Sequence, residues 1–218
     1  MLETMSVDQM RERFKAIPQE IRDAHQPFSI RVWRGLSWLE RVEGAGDVEG
    51  RFISLWIAFN AIYGRLDEDG RGIKDRVTWQ AFMARVVERD VDDRLGRIVR
   101  QCQPVILSII NSPYVFRPFW FEDPQWSDKL NTARRQALLN YHKGHTLAIL
   151  QELFERLYVI RSQVFHGAAT CGSRLNRELL AQCTDCLGHI VPTVVTILLD
   201  AGPKVQWGEV CYPPVPTR

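Results

Sequence analysis

The stretch "RFISLWIAFNAIYG", residues 51–64, places the tightest constraint on what this chain can become. Phe52, Ile53, Leu55, Trp56, Ile57, Phe59, Ile62 and Tyr63 leave almost no polar face on a helix of that length. A helix apolar all round must be enclosed, either at the centre of a bundle or between two packed subunits. Asp47 suits its N-cap and Gly64 its C-terminal stop. Asn60 is then an amide in an apolar setting, and it needs a hydrogen-bond partner or it costs stability.

Helical periodicity dominates the rest of the chain, and no convincing period-two segment interrupts it. Helices are expected from about 30 to 43, over "KDRVTWQAFMARVVER" and "DVDDRLGRIVRQC", and at about 127–142, 146–166 and 174–200. Pro104 should break the element before "VILSII". Gly144 and Gly167 separate the later helices, and Ser173 is a candidate N-cap for the last. The stretch "NSPYVFRPFWFEDPQW" carries three prolines and six aromatics, which makes it an irregular insertion pinned by aromatic burial. The expected class is all-α, a multi-helix bundle with this insertion. Residues 1–27 read as a loosely attached helix and loop ending at Pro27, 28–203 as the bundle, and 204–218 ("CYPPVPTR" at its end) as an extended tail.

Composition excludes some functions. A net charge of +2 is too small to announce a nucleic-acid binder, so any basic surface has to be local. The charged N-terminal stretch lacks the apolar core of a signal peptide. Apolar runs such as "IVPTVVTILL" are too short for a bilayer, so no membrane partner is expected. Five cysteines, an odd number, with no secretion signal point to the cytoplasm and reduced thiols.

Chemistry concentrates in "LYVIRSQVFHG", residues 157–167. Leu150, Leu153, Leu157, Ile160 and Val164 make one apolar stripe, and Arg161 falls four residues after Leu157, projecting from that stripe. An arginine cannot shed its charge, so a buried one needs a carboxylate, carbonyls or a phosphate. His166 occupies the last turn if Gly167 ends the helix, and an imidazole there suits general acid–base work. Five residues along an ideal helix rotate by roughly 140° and rise about 7.5 Å, so the two side chains do not share a face. Either the last turn unwinds at Gly167, or two chains share the site. The plain alternative is a buried salt bridge from Arg161 to Glu49 or Asp47, with His166 as a capping residue.

"IRSQVFHG" resembles the Arg-(any four)-His signature of the HEPN superfamily, and "RFISLWIAFNAIYG" is similar to the aromatic-rich second helix of its prokaryotic members, especially the Apea-like group. The resemblance covers roughly 25 residues directly, plus the general helical order. It implies a homodimer of helical bundles whose composite cleft gathers two arginines and two histidines. It further implies a metal-independent endoribonuclease without cofactor, acting on RNA as a toxin or defence effector, with an antitoxin or regulatory protein as a possible partner. Carried over, His166 moves protons at the 2′-hydroxyl or the 5′-oxygen, and Arg161 stabilises charge on the phosphate. One departure matters: Ser162 stands where many active members carry Asn, Asp or His. The family also contains inactive members that bind RNA or protein, and Ser162 keeps that alternative open. Ser162, Asn60 and Glu49 are supporting candidates.

Other clusters read as structural first. Cys183, Cys186 and His189, with Cys171 upstream, are zinc-type residues, but three-residue steps inside a helix suit packing better. His142 and His145 fall at a solvated turn. Arg94, Arg97 and Arg100 form a basic row whose plainer reading is a solvated face. "YVFRPFWF" interleaves aromatics with Arg117 as a base-stacking platform would, although core covering is the better reading.

Overall fold

The computed structural model describes residues 5–65, 75–174 and 176–213. Among them the chain is all-α: eleven α-helices and one 3-10 turn, with no strand. In order these are α1 (Val7–Ala16), α2 (Gln19–Ala24), α3 (Gln26–Glu43), α4 (Val48–Tyr63), α5 (Asp75–Arg89), α6 (Arg94–Gln101) and α7 (Gln103–Asn111). After the 3-10 turn Pro113–Val115 come α8 (Arg117–Trp120), α9 (Trp126–Lys143), α10 (Thr146–Phe165) and α11 (Arg177–Ala201).

Local signals account for most boundaries. Asp47 Oδ1 accepts the Gly50 N–H at 2.6 Å, the expected cap of α4. Pro104 sits in the first turn of α7, where its missing N–H does no harm, and so it separates α6 from α7. Pro27 works the same way at the start of α3; it opens a helix rather than closing a loop. Ser173 is not the cap expected of it: α11 begins at Arg177, after Asn176 in the left-handed region at φ 58°.

Where the sequence reading expected one bundle with two peripheral segments, the chain forms two compact units. Unit 1 comprises Met1–Gly44, Ser54–Asp90 and Val191–Arg218; unit 2 comprises Ala45–Ile53 and Val91–Ile190. Both peripheral segments belong to unit 1. Most of the enclosure demanded by α4 is met within the chain: Phe52, Leu55, Trp56, Phe59, Ile62 and Tyr63 are buried, while Ile53 and Ile57 are half-buried. α11 is long and apolar enough to cross a membrane by length and composition, yet 72% of its apolar window is buried, as in a core helix.

In unit 1, α1 is anchored: Met10 and Phe14 are buried, Phe14 packs on Phe28, and Arg11 pairs with Glu40 at 2.7 Å. Gly35 allows α3 to approach α4, since a Cβ there would lie 2.8 Å from Ile62 Cγ2. Among its described residues, 202–213, the segment after α11 carries neither helix nor strand, and it is tied down. Trp207 and Val210 are buried, and Trp207 stacks on Phe82 at 5.6 Å between ring centres. Arg31, fully buried, donates to the carbonyls of Ile62, Gly64, Gly208 and Glu209 at 2.7–3.0 Å. Arg34 holds the carbonyls of Cys211 and Tyr212, and Arg85 that of Gln206. Burial pulls the Arg31 guanidinium down to about 10, against Cys211 and Glu209, with repulsion from Arg65 and Arg34 adding to the fall.

In unit 2, α9 and α10 form a helical hairpin turned at Gly144 (φ 66°). Gly144 N–H reaches Tyr141 O and His145 N–H reaches Asn140 O, the paired bonds of a Schellman ending. The apolar stripe of α10 is as expected: Leu150, Leu153, Leu157 and Ile160 are buried, each contributing roughly 2 kcal/mol.

Candidate functional site

The candidate site lies at the end of α10 in unit 2. α10 is regular through Phe165: the His166 N–H bonds the Ser162 carbonyl at 3.1 Å in the helical pattern. Gly167 (φ 70°) then closes it with a second Schellman ending, its N–H on Val164 O at 3.3 Å and the Ala168 N–H on Gln163 O at 2.9 Å. Of the two arrangements open from sequence, unwinding of the last turn is thereby removed. On a helix regular through Phe165, ideal geometry sets Arg161 and His166 about 140° apart.

Arg161 is half-buried, and its guanidinium carbon lies 4.8 Å from the Phe165 ring centre and 5.7 Å from that of Tyr158. Those rings, at three residues before and four after, flank it on one helix face. No carboxylate pairs with Arg161 among the described residues, and its Nε is buried without an acceptor. The expected alternative partners are engaged elsewhere. Glu49 accepts from Arg177 at 3.1 Å and from the Gly172 N–H at 3.0 Å, and Asp47 caps α4. Burial alone would raise the Glu49 carboxyl, but the Gly172 and Glu49 N–H groups and Arg177 outweigh it and hold the carboxyl below its ordinary range. Glu49 therefore tethers the far end of the loop whose near end is His166.

His166 is exposed at the cap position. Ser162 is half-buried, and its carbonyl is the acceptor that fixes the His166 backbone. Asn60 belongs to unit 1; its Oδ1 is buried without a hydrogen-bond partner, so the partner its setting demanded is missing. Gln163, not anticipated, donates to the Tyr114 carbonyl at 3.0 Å and ties the end of α10 to the 3-10 turn. Its place three residues before His166, on the helix face away from Arg161, was the available signal.

The buried arginine of this helix is Arg156, not Arg161. Arg156 is 4% exposed, its Nε donates to Ile110 O at 3.3 Å, and its Nη2 lies 2.7 Å from Glu152 Oε1 in an ion pair not aligned as a hydrogen bond. Its guanidinium also covers the Phe116 ring at 4.4 Å. Burial lowers its pKa, with Glu152 and Glu155 opposing.

The remaining clusters resolve as follows. Among the described residues no three metal-type side chains gather. Cys183 and Cys186 are buried and Cys171 is exposed; burial pushes the Cys183 thiol well up and that of Cys186 to about 12, which suits packing and opposes the thiolate a zinc site needs. His189 is half-buried, while His142 and His145 are exposed. The basic row serves its own helix: Arg94 pairs with Asp92, Arg97 donates to the Asp92 carbonyl and Arg100 pairs with Asp93. The aromatic insertion covers the core only through Val115 and Phe116. Tyr114, Trp120 and Phe121 are 47%, 51% and 70% exposed, and Arg117 lies over the Phe121 ring at 5.1 Å.

Fold and geometry together define an all-α bundle protein with an arginine and a histidine at one helix end. Comparisons with protein-family models, curated proteins and solved structures return no match, so a functional reading rests on the chain's own residues.

Proposed function

We propose that this chain is a homodimeric, metal-independent endoribonuclease of the HEPN type, acting through Arg161 and His166. The observation that supports it most is a half-buried guanidinium flanked by two rings and left without a carboxylate, on a helix that ends at an exposed imidazole. A buried or half-buried cation without an anion is costly, and a phosphodiester supplies the missing charge. Because the two side chains diverge within a chain, the ends of two α10 helices related by a two-fold axis provide the composite cleft.

In this reading an imidazole takes the proton from a 2′-hydroxyl. The 2′-oxygen attacks phosphorus, the bond to the 5′-oxygen breaks, and that oxygen receives a proton from an imidazolium. The products are a 2′,3′-cyclic phosphate and a 5′-hydroxyl. Arg161 meets the charge that grows on the non-bridging oxygens. Glu49 and Ser162 position the loop and the backbone of His166. A toxin or defence role in the cytoplasm, held in check by an antitoxin, goes with this reading.

The test is incubation of single-stranded RNA with the protein in EDTA. Cleavage to cyclic-phosphate ends, abolished in Arg161→Ala and in His166→Ala with folding intact, is the expected outcome; DNA of the same sequence stays whole. Equal behaviour of wild type and both variants would instead favour a silent RNA- or protein-binding module. That second reading draws on the His166 imidazole and the Ser162 hydroxyl, neither of which has an orienting hydrogen bond among the described residues.

A further inference from the structure

Unit 1 contains an open cleft lined by Tyr63, Arg65, Thr78, Phe82, Arg85 and Trp207, with Ala81 at its wall. Its empty space is about 290 Å³, part of it continuous with solvent. Two guanidinium groups line this cleft, and among the described residues no carboxylate does.

The donors there lack acceptors. Trp207 is 5% exposed, and its Nε1–H is buried without a partner. The Arg65 Nε is likewise buried and unpartnered, and Arg65 forms no ion pair among the described residues. Arg85, which is exposed, donates to the Gln206 carbonyl. Leaving the two buried donors, Trp207 Nε1 and Arg65 Nε, empty costs about 1–3 kcal/mol each. A water could satisfy the indole, but it brings no charge to the two cations. Neighbouring Arg31 and Arg34 add positive charge along the same 206–212 segment, and Glu209 and Glu88, both exposed, do not line the cleft. Arg31 and Arg34 are themselves committed to backbone carbonyls, which leaves Arg65 and Arg85 to face a ligand.

We infer that this cleft binds a phosphate group, whose leading oxygens accept from the Trp207 indole and the Arg65 and Arg85 guanidinium groups while the remainder stays at the open mouth. Guanidinium donors match phosphate oxygens in geometry and charge. The ligand is free phosphate or the terminal phosphate of a larger molecule. The site shares no residue with Arg161 and His166 and does not depend on the ribonuclease reading.

Calorimetric titration of the full chain with inorganic phosphate, in a buffer free of other oxyanions, is the test. The expected result is one site per chain with a Kd of about 1 mM or tighter. Binding should weaken about tenfold or more in Arg85→Gln and in Arg65→Gln. Trp207→Phe, which keeps the ring and removes the N–H, should weaken it less. Arg34→Gln, at a residue that does not line the cleft, should weaken binding less than either cleft-arginine variant does. Absence of saturable binding in the wild type overturns the site, as does undiminished binding in both arginine variants. Competition by DNA oligomers, 5′-phosphorylated against 5′-hydroxyl, identifies the source. Preference for the phosphorylated form points to a nucleic-acid end and equal, weak competition to free phosphate; both uphold the site.

Discussion

Arg156 and Arg161 stand five residues apart on one helix and meet opposite surroundings. Arg156 is enclosed by the Ile110 carbonyl, Glu152 and the Phe116 ring. Arg161 has two rings and no acceptor for its Nε. The fold therefore satisfies a buried guanidinium where it serves packing, and leaves another incomplete one and a half turns later. An arginine whose partners all come from its own chain holds structure; one that lacks them is available to a ligand.

Breaking Arg156 should have the largest effect. Arg156→Ala leaves the Ile110 carbonyl without its donor and empties the space over the Phe116 ring, while Glu152 stays 31% exposed; it should cost about 2–3 kcal/mol, read by denaturant unfolding. Arg161→Ala loses only contacts with rings, about 1 kcal/mol of stability, while cleavage falls about 10²–10³-fold if the proposed role holds. A stability loss for Arg161→Ala as large as that for Arg156→Ala would erase the distinction. Gly167→Ala sharpens it from the helix end. Nothing crowds a Cβ there, so the cost is the backbone alone at φ 70°, about 1–2 kcal/mol in thermal unfolding.

The smallest effect is expected at Glu49. Its carboxyl lies below the ordinary range in the folded chain, so its contribution is fully present above the unfolded-state value and is lost as pH falls through the folded one. Glu49→Gln should lower stability by up to about 1 kcal/mol near neutrality and flatten the acid side of a stability–pH profile. An unchanged acid limb would show that Glu49 does not tether the loop after His166.

Much of the fold was legible in the residues because its signals are local. Asp47, Pro104, Gly144 and Gly167 each act through the backbone of their own turn, and the structure uses them as the sequence indicated. The stripe of α10 was legible for the same reason. What escaped was tertiary. Arg156 follows Leu153 by three and precedes Ile160 by four, so it fits the stripe as well as Arg161 does, and Glu152 four residues earlier was the clue to its partner. Arg31 is fully enclosed because carbonyls distant in sequence converge on it, which no local pattern encodes. Trp207 lies in a stretch without periodicity, and only its burial reveals that the C-terminal segment is fastened. For the site, the positions of Arg161 and His166 on α10 followed from spacing, whereas the engagement of Glu49 by Gly172 and Arg177 did not.

The central claim is that an Arg161 from one chain and a His166 from another act on the same phosphodiester. It is tested most directly by mixing Arg161→Ala and His166→Ala chains, each silent alone, after co-unfolding and refolding so that mixed dimers form. The account expects RNA cleavage to return in the mixture at a fraction of the wild-type rate, in EDTA. Mixed dimers that assemble, with the wild type active and the mixture silent, would contradict it.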